Sequence, residues 1–243
     1  MSWQVILNRP SLRERLLLYG AVPLFLVGTL IACYYSDAPG LRHLVSPDTV
    51  GIPEALRREF GLLESLQNIV LATICGVAVF GMRKKRLRLE RVGLWVMLIG
   101  TAWMLLEETD YFTQYAVLFS GDAPEGPPRN LHRIAYSETL LRNVAYLGSA
   151  TFFGAFALLF ANSSRPVMRY LAPDRLAVGT VLLVTALQEI VWWKSERVAL
   201  DHGSLTGNEI EFFELGIYYL VLLWLVDMVF WRRLEPASPD ESA

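Results

Sequence analysis

Long apolar stretches alternate with short polar ones along the whole chain, and six of them approach or exceed the length of a membrane crossing. A helix needs roughly 20 mostly apolar residues to traverse about 30 Å of hydrocarbon. The runs are Leu16–Tyr35, Leu62–Met82, Val92–Leu106 with an extension to about Leu118, Val144–Ala161, Leu176–Trp193 and Ile210–Trp231. Strands of a membrane barrel would alternate apolar and polar positions, which these continuous runs do not. The pattern predicts an all-α polytopic membrane protein, a bundle of six transmembrane helices forming one domain over residues 1–233, with a disordered tail over 234–243. Pro23 lies inside the first run and predicts a kink there.

The connections are uneven. Residues 36–53 carry Pro39, Gly40, Pro47, Gly51 and Pro53, and the segment Glu54–Phe60 that follows has the composition of a short interfacial helix. Gly121–Pro128 is a turn-rich loop. Charges are sorted by side. The N-terminus, the turn at 83–91, the segment 162–175 and the C-terminus together hold 14 of the 22 Lys and Arg but, even with Asp227 near the end of the last run, only 7 of the 24 acids. The run Arg83-Lys84-Lys85-Arg86-Leu87-Arg88 is short-loop positive charge of the kind that fixes orientation, so both termini are expected in the cytoplasm of a bacterial cell, with the other side facing the periplasm or exterior. Three arginines ahead of the first run mimic a secretory signal, but that run exceeds a typical signal h-region and reads as a retained anchor.

Composition then narrows the function classes. At 53% hydrophobic residues and mean hydropathy +0.36 the chain is too apolar for an ordinary soluble domain. A net charge of −2 excludes a nucleic-acid binder that works by neutralising phosphates. Cys33 and Cys75 both lie in apolar runs, which leaves neither a disulfide framework nor a cysteine zinc site.

Ionisable groups inside a span cost a few kcal/mol each, so they tend to face a protein interior or a wet cavity. Here they gather at one end of the helices. Glu64, Gln67 and Asn68 share a face where the second run begins. Glu107, Glu108, Asp110, Tyr111 and Gln114 close the third, Glu138 and Arg142 open the fourth, Glu189, Trp192 and Trp193 close the fifth, and Glu211, Glu214 and Tyr218 open the sixth. The opposite halves of the runs show no equivalent, Asp227 being their only acid. A helix N-terminus attracts an acid through its dipole, which by itself accounts for Glu64, Glu138 and Glu211 but not for Glu107, Glu108, Asp110 and Glu189, which sit near C-terminal ends. Those four need a counter-charge such as Arg142, Arg133, Lys194 or a bound cation. The exposed reading of the tryptophans is an interfacial aromatic belt.

The stretch Glu107-Glu108-Thr109-Asp110-Tyr111-Phe112-Thr113-Gln114, followed by Asn130-Leu131-His132, resembles a pattern in uncharacterised bacterial multi-span membrane proteins, written E-E-x-S-W-G-Q and then N-L-H. This chain has Asp110 in place of the serine, Tyr111 of the tryptophan and Thr113 of the glycine. The resemblance implies that Glu107, Glu108, Gln114 and His132 form one site. The alkaline-ceramidase-like zinc hydrolases are similar in size, but their late H-x-x-x-H pair is absent here.

A cluster rich in carboxylates and poor in histidine and cysteine suits a hard divalent ion. The first functional expectation is a metal-dependent enzyme, a hydrolase acting on an outer-leaflet lipid. Glu107, Glu108, Asp110, Gln114, His132 and Glu138 form its catalytic set. Glu107, Asp110, His132, Glu138, Glu189, Glu211 and Glu214 are its metal ligands, and Glu64, Gln67, Asn68, Tyr111, Arg142, Trp192 and Tyr218 support them. The alternative is a non-enzymatic cation- or proton-coupled carrier, or an accessory subunit of a membrane complex. Membrane lipid is the expected partner in the first case, and an oligomer or larger assembly in the last.

Overall fold

A computed structural model describes residues 3–47, 61–109, 144, 146–197 and 210–236, the side chains of 195–197 excepted. In chain order the elements are β1 (Trp3–Leu7), α1 (Leu12–Tyr34), α2 (Pro39–Val45), α3 (Leu62–Lys84), α4 (Arg88–Glu108), α5 (Tyr146–Phe160), α6 (Pro166–Leu171), α7 (Leu176–Arg197), α8 (Glu211–Trp231) and β2 (Arg232–Pro236). Five of these, α1, α3, α4, α7 and α8, are long and apolar enough to cross a membrane, and α5 is a shorter apolar helix. The chain is thus a mostly helical protein with the makings of a membrane protein.

Helix α1 starts earlier than its apolar run, because Ser11 caps it. The Ser11 hydroxyl accepts from the Glu14 amide while the Glu14 carboxylate accepts from the Ser11 amide at 2.8 Å, a reciprocal pair that satisfies two end donors. Pro23 then acts inside it. Residues Leu17–Ala21 form a π-helical turn in which the Val22 amide donates to the Leu17 carbonyl, skipping that of Leu18. Pro23 has no N–H for the carbonyl of Tyr19, four residues earlier. Both carbonyls are caught from neighbouring helices: Tyr219 of α8 donates to Leu18 O at 2.9 Å, and the Thr180 hydroxyl of α7 donates to Tyr19 O. The expected kink is therefore a π turn whose freed acceptors are used to hold α1 to two partners.

Helix α8 is the centre of the bundle. Its apolar window is 67% buried, against 17–33% for the other four long helices, and it packs on α1, α3 and α7. Gly216 lets α7 approach: a Cβ there would stand 2.6 Å from Val184 Cγ1 and 2.7 Å from Cγ2. Between the ends of the bundle its interior with α3 and α4 is apolar, built from Leu71, Ile74, Ala78, Leu94 and Leu225.

Two expectations need correction at the chain ends. The protein is not purely helical, since β1 and β2 pair antiparallel with Val5 opposite Leu234. Both of those side chains are buried, against Tyr170 and Met228, so the tail expected to be disordered from 234 is ordered strand through Pro236. Residues 237–243, the helix expected over 54–60 and the turn-rich loop lie outside the described residues.

The end where basic residues and Asp227 were expected, without an acid cluster, holds an ion network near this sheet. Asp227 receives Arg9 at 3.1 Å and Arg232, which is fully buried, and Asp174 receives Arg9 at 3.5 Å and Arg15 at 2.5 Å. Arg232 also donates to the Tyr170 carbonyl at 2.7 Å. Beside it, Tyr170 donates to Glu90 at 2.6 Å, and Lys85 stands 3.4 Å from the same carboxylate oxygen while donating to Arg232 O at 2.6 Å. Spacing does not reveal this network because its members come from four separated stretches, at Arg9 and Arg15, Lys85 and Glu90, Tyr170 and Asp174, and Asp227 and Arg232.

Candidate functional site

At the other end of the bundle the first turn of α3, the last turn of α4 and the first turn of α8 meet. Each supplies one acid: Glu64, Glu108 and Glu211 offer carboxylate oxygens that all lie within 4.8 Å of one another. Glu64 and Glu211 are buried and Glu108 is half-buried. Two of the three sit in helix N-terminal turns, where backbone dipoles favour negative charge. Glu108 ends α4, where the dipole opposes it, and there Tyr218 supplies a donor, its hydroxyl 2.6 Å from Glu108 Oε1. Spacing on α8 explains the pairing: Tyr218 lies seven residues beyond Glu211, hence on the same face.

Gln67, one turn along α3 from Glu64, is fully buried and locks Glu211 in place. Its Nε2 donates to the Glu211 carbonyl at 2.9 Å and to Oε2 at 3.1 Å. Because both partners are acceptors, they fix which end of the amide is nitrogen. The Oε1 of the same amide, and Oδ1 of buried Asn68, accept no hydrogen bond. Buried polar atoms are normally satisfied, so the open oxygen of Gln67, on the amide whose nitrogen holds Glu211, and the open oxygen of Asn68, one residue along α3, stand out.

A half-enclosed cleft of about 380 Å³ adjoins the acids. Glu214 and Tyr218 line it near the acids, and Leu71, Ile74, Phe152 and Val221 line it deeper in the bundle.

No family model matches the chain. Comparison with curated proteins and with solved structures likewise gives no match.

The arrangement sorts the sequence candidates. Glu64, Gln67, Glu108, Glu211 and Tyr218 come together, with Glu214 at the cleft beside them. Glu107 is half-buried on the preceding position of α4. Glu189 is corrected: α7 turns Val184, Gln188 and Val191 inward, so the acid next to Gln188 is exposed. Trp192 and Trp193 are exposed as well, and Lys194 lies over the Tyr35 ring at 5.2 Å. Asp110, Tyr111, Gln114, His132, Glu138 and Arg142 lie outside the described residues. Within reach of the sequence signal but undervalued was Glu64, taken there as a supporting group and placed here among the three acids.

Proposed function

We propose that this protein is an integral protein of the bacterial cytoplasmic membrane that holds a hard divalent ion at Glu64, Glu108 and Glu211 and hydrolyses an ester or amide of an outer-leaflet lipid. The observation that carries the reading is the convergence of three carboxylates from three helices within 4.8 Å. Oxygens sharing one calcium ion at about 2.3–2.6 Å lie no more than about 5 Å apart, so that spacing fits an all-oxygen site. Gln67 Oε1, on the amide whose nitrogen holds Glu211, is a further oxygen donor of the right hardness. Such an ion, when bound, polarises a carbonyl oxygen and acidifies a nearby water. The chain's own groups do the rest: Gln67 holds the Glu211 carboxylate and Tyr218 holds that of Glu108.

Parity supports the six-crossing topology. Strands β1 and β2 are paired, so the chain enters and leaves the bundle at one face, which requires an even number of crossings. Five long helices and α5 supply six. The excess of Lys and Arg at that face supports a cytoplasmic position for it, with the acids toward the periplasm or exterior. The apolar stretch of Leu71, Ile74, Ala78 and Leu225 separating the acids from the ion network favours a site at one depth over a carrier's path.

Elemental analysis of protein purified in mild detergent tests the reading. We expect a bound divalent ion whose occupancy falls about tenfold or more in Glu108→Gln and Glu211→Gln. Folded wild-type protein that stays free of metal when Ca²⁺, Mg²⁺ or Mn²⁺ is supplied overturns it.

A further inference from the structure

We infer that the cleft beside the acids takes one acyl chain of a membrane lipid, with the lipid head at Glu108 and Tyr218. This deepens the proposed function and rests on it for the identity of the head-binding groups. The cleft is bounded by α3, α4, α5 and α8, all apolar helices of the proposed bundle. From Glu214 to Val221 the α8 wall rises about 10 Å, running from the carboxylate end toward the middle of the bundle. Its polarity is graded to match an amphiphile. Glu214 and the Tyr218 hydroxyl, which is already bonded to Glu108, stand at one end and Leu71, Ile74 and Val221 at the other, with Thr101, Tyr146 and Ser149 the remaining polar residues of the lining.

The medium decides the occupant. Water needs two to four polar partners to be held in a cavity, and the deep walls offer few. An empty cleft forgoes dispersion contacts along its lining. An acyl chain supplies those contacts and leaves no water behind, because at this depth it comes from surrounding acyl chains. Half-buried Phe152 and Val221 line the cleft, and Leu71 and Ile74 are fully buried behind its wall.

Full-length protein in phosphatidylcholine nanodiscs doped with a phosphatidylcholine carrying a mid-chain diazirine tests this. After irradiation, peptide mass spectrometry should find label on Phe152 or Val221 as well as on Val96 and Ile99, which are each 65% exposed on the outside of α4. Ile217→Trp fills the cleft, and so does Gly148→Leu at a position with open space around it. Each should lower cleft labelling about fivefold or more, equivalent to about 1 kcal/mol or more, and leave Val96 and Ile99 unchanged. Label confined to the outside of α4, or cleft labelling that neither variant reduces in folded protein, overturns the inference. Metal content read in the same samples separates the two claims. Absent metal with labelled cleft residues strikes the proposed ion chemistry, while bound metal with an unlabelled cleft strikes the acyl-chain site.

Discussion

Tyr170 shows how a single hydroxyl sets the chemistry of its surroundings. It lies between the spans, donates to Glu90 at 2.6 Å and packs under the ion network. Burial, reinforced by the hydrogen bond and charge of Glu90, pushes its phenol well above the ordinary tyrosine value. Burial pushes the neighbouring Lys85 ammonium down, against the pull of Glu90. The two act oppositely in alkaline solution. An unfolded tyrosine ionises near pH 10 while Tyr170 keeps its proton, so its contribution is complete below about pH 10 and is lost as pH rises beyond it. The Lys85 burial cost, by contrast, is relieved as pH climbs toward the lysine range. Tyr170→Phe isolates the first effect, because Lys85 and Glu90 stay in place. We expect the variant to be less stable by about 1–3 kcal/mol at neutral pH. That difference should shrink above about pH 10 in detergent unfolding curves. A difference that stays constant to the alkaline limit would show that the hydroxyl is not held protonated.

At the scale of elements, helix α1 carries a defect that its partners repair. The π turn at Leu17–Ala21 and Pro23 free the carbonyls of Leu18 and Tyr19, and Tyr219 and Thr180 bind them. Thr180→Val and Tyr219→Phe should each cost about 1–2 kcal/mol by leaving a buried acceptor open. In a Pro23→Ala background, where the backbone can close its own ladder, both costs should fall, and a double-mutant cycle in thermal unfolding measures the coupling. Costs that are unchanged in that background would separate the defect from its repair. The elements themselves were legible because hydrocarbon imposes a length on every span: five of six runs became long helices, four of them within a few residues of their expected bounds, while the third ends at Glu108 with Thr109 as its cap instead of continuing toward Leu118. The acid face of α3 was legible too, since Glu64, Gln67 and Asn68 must share one side of a helix at that spacing. What spacing cannot give is which helices are neighbours. Glu189 was placed in the cluster by sequence, yet the packing of Val184 against Gly216 rotates it outward. Arg9 and Asp227 are 218 positions apart, and only the pairing of the two chain ends brings them together.

For the whole molecule, that pairing means the bundle is closed like a ring, with its two ends fastened by a sheet and by buried ions. Asp227 is the shared anchor, accepting from Arg9 of the entering chain and from Arg232 of the leaving one. Arg232 is fully buried, so its charge depends on Asp227 and on the carbonyls of Arg169, Tyr170 and Ala172. Removing the carboxylate charge with Asp227→Asn strands a buried guanidinium, and breaking such a pair costs about 3–5 kcal/mol. Arg232→Met alone should leave Asp227 with Arg9 and be milder. Combining it with Asp227→Asn should recover stability relative to Asp227→Asn, because a buried ion pair replaced as a unit by apolar volume is often neutral. The acid cluster lies at the far ends of α3, α4 and α8, so occupancy by the ion proposed for it should survive in every variant that folds. Thermal unfolding followed by elemental analysis of the same samples checks both halves. If Asp227→Asn lost its metal while keeping wild-type stability, the two ends of the bundle would be coupled rather than independent, and the network would belong to the site instead of to the fold.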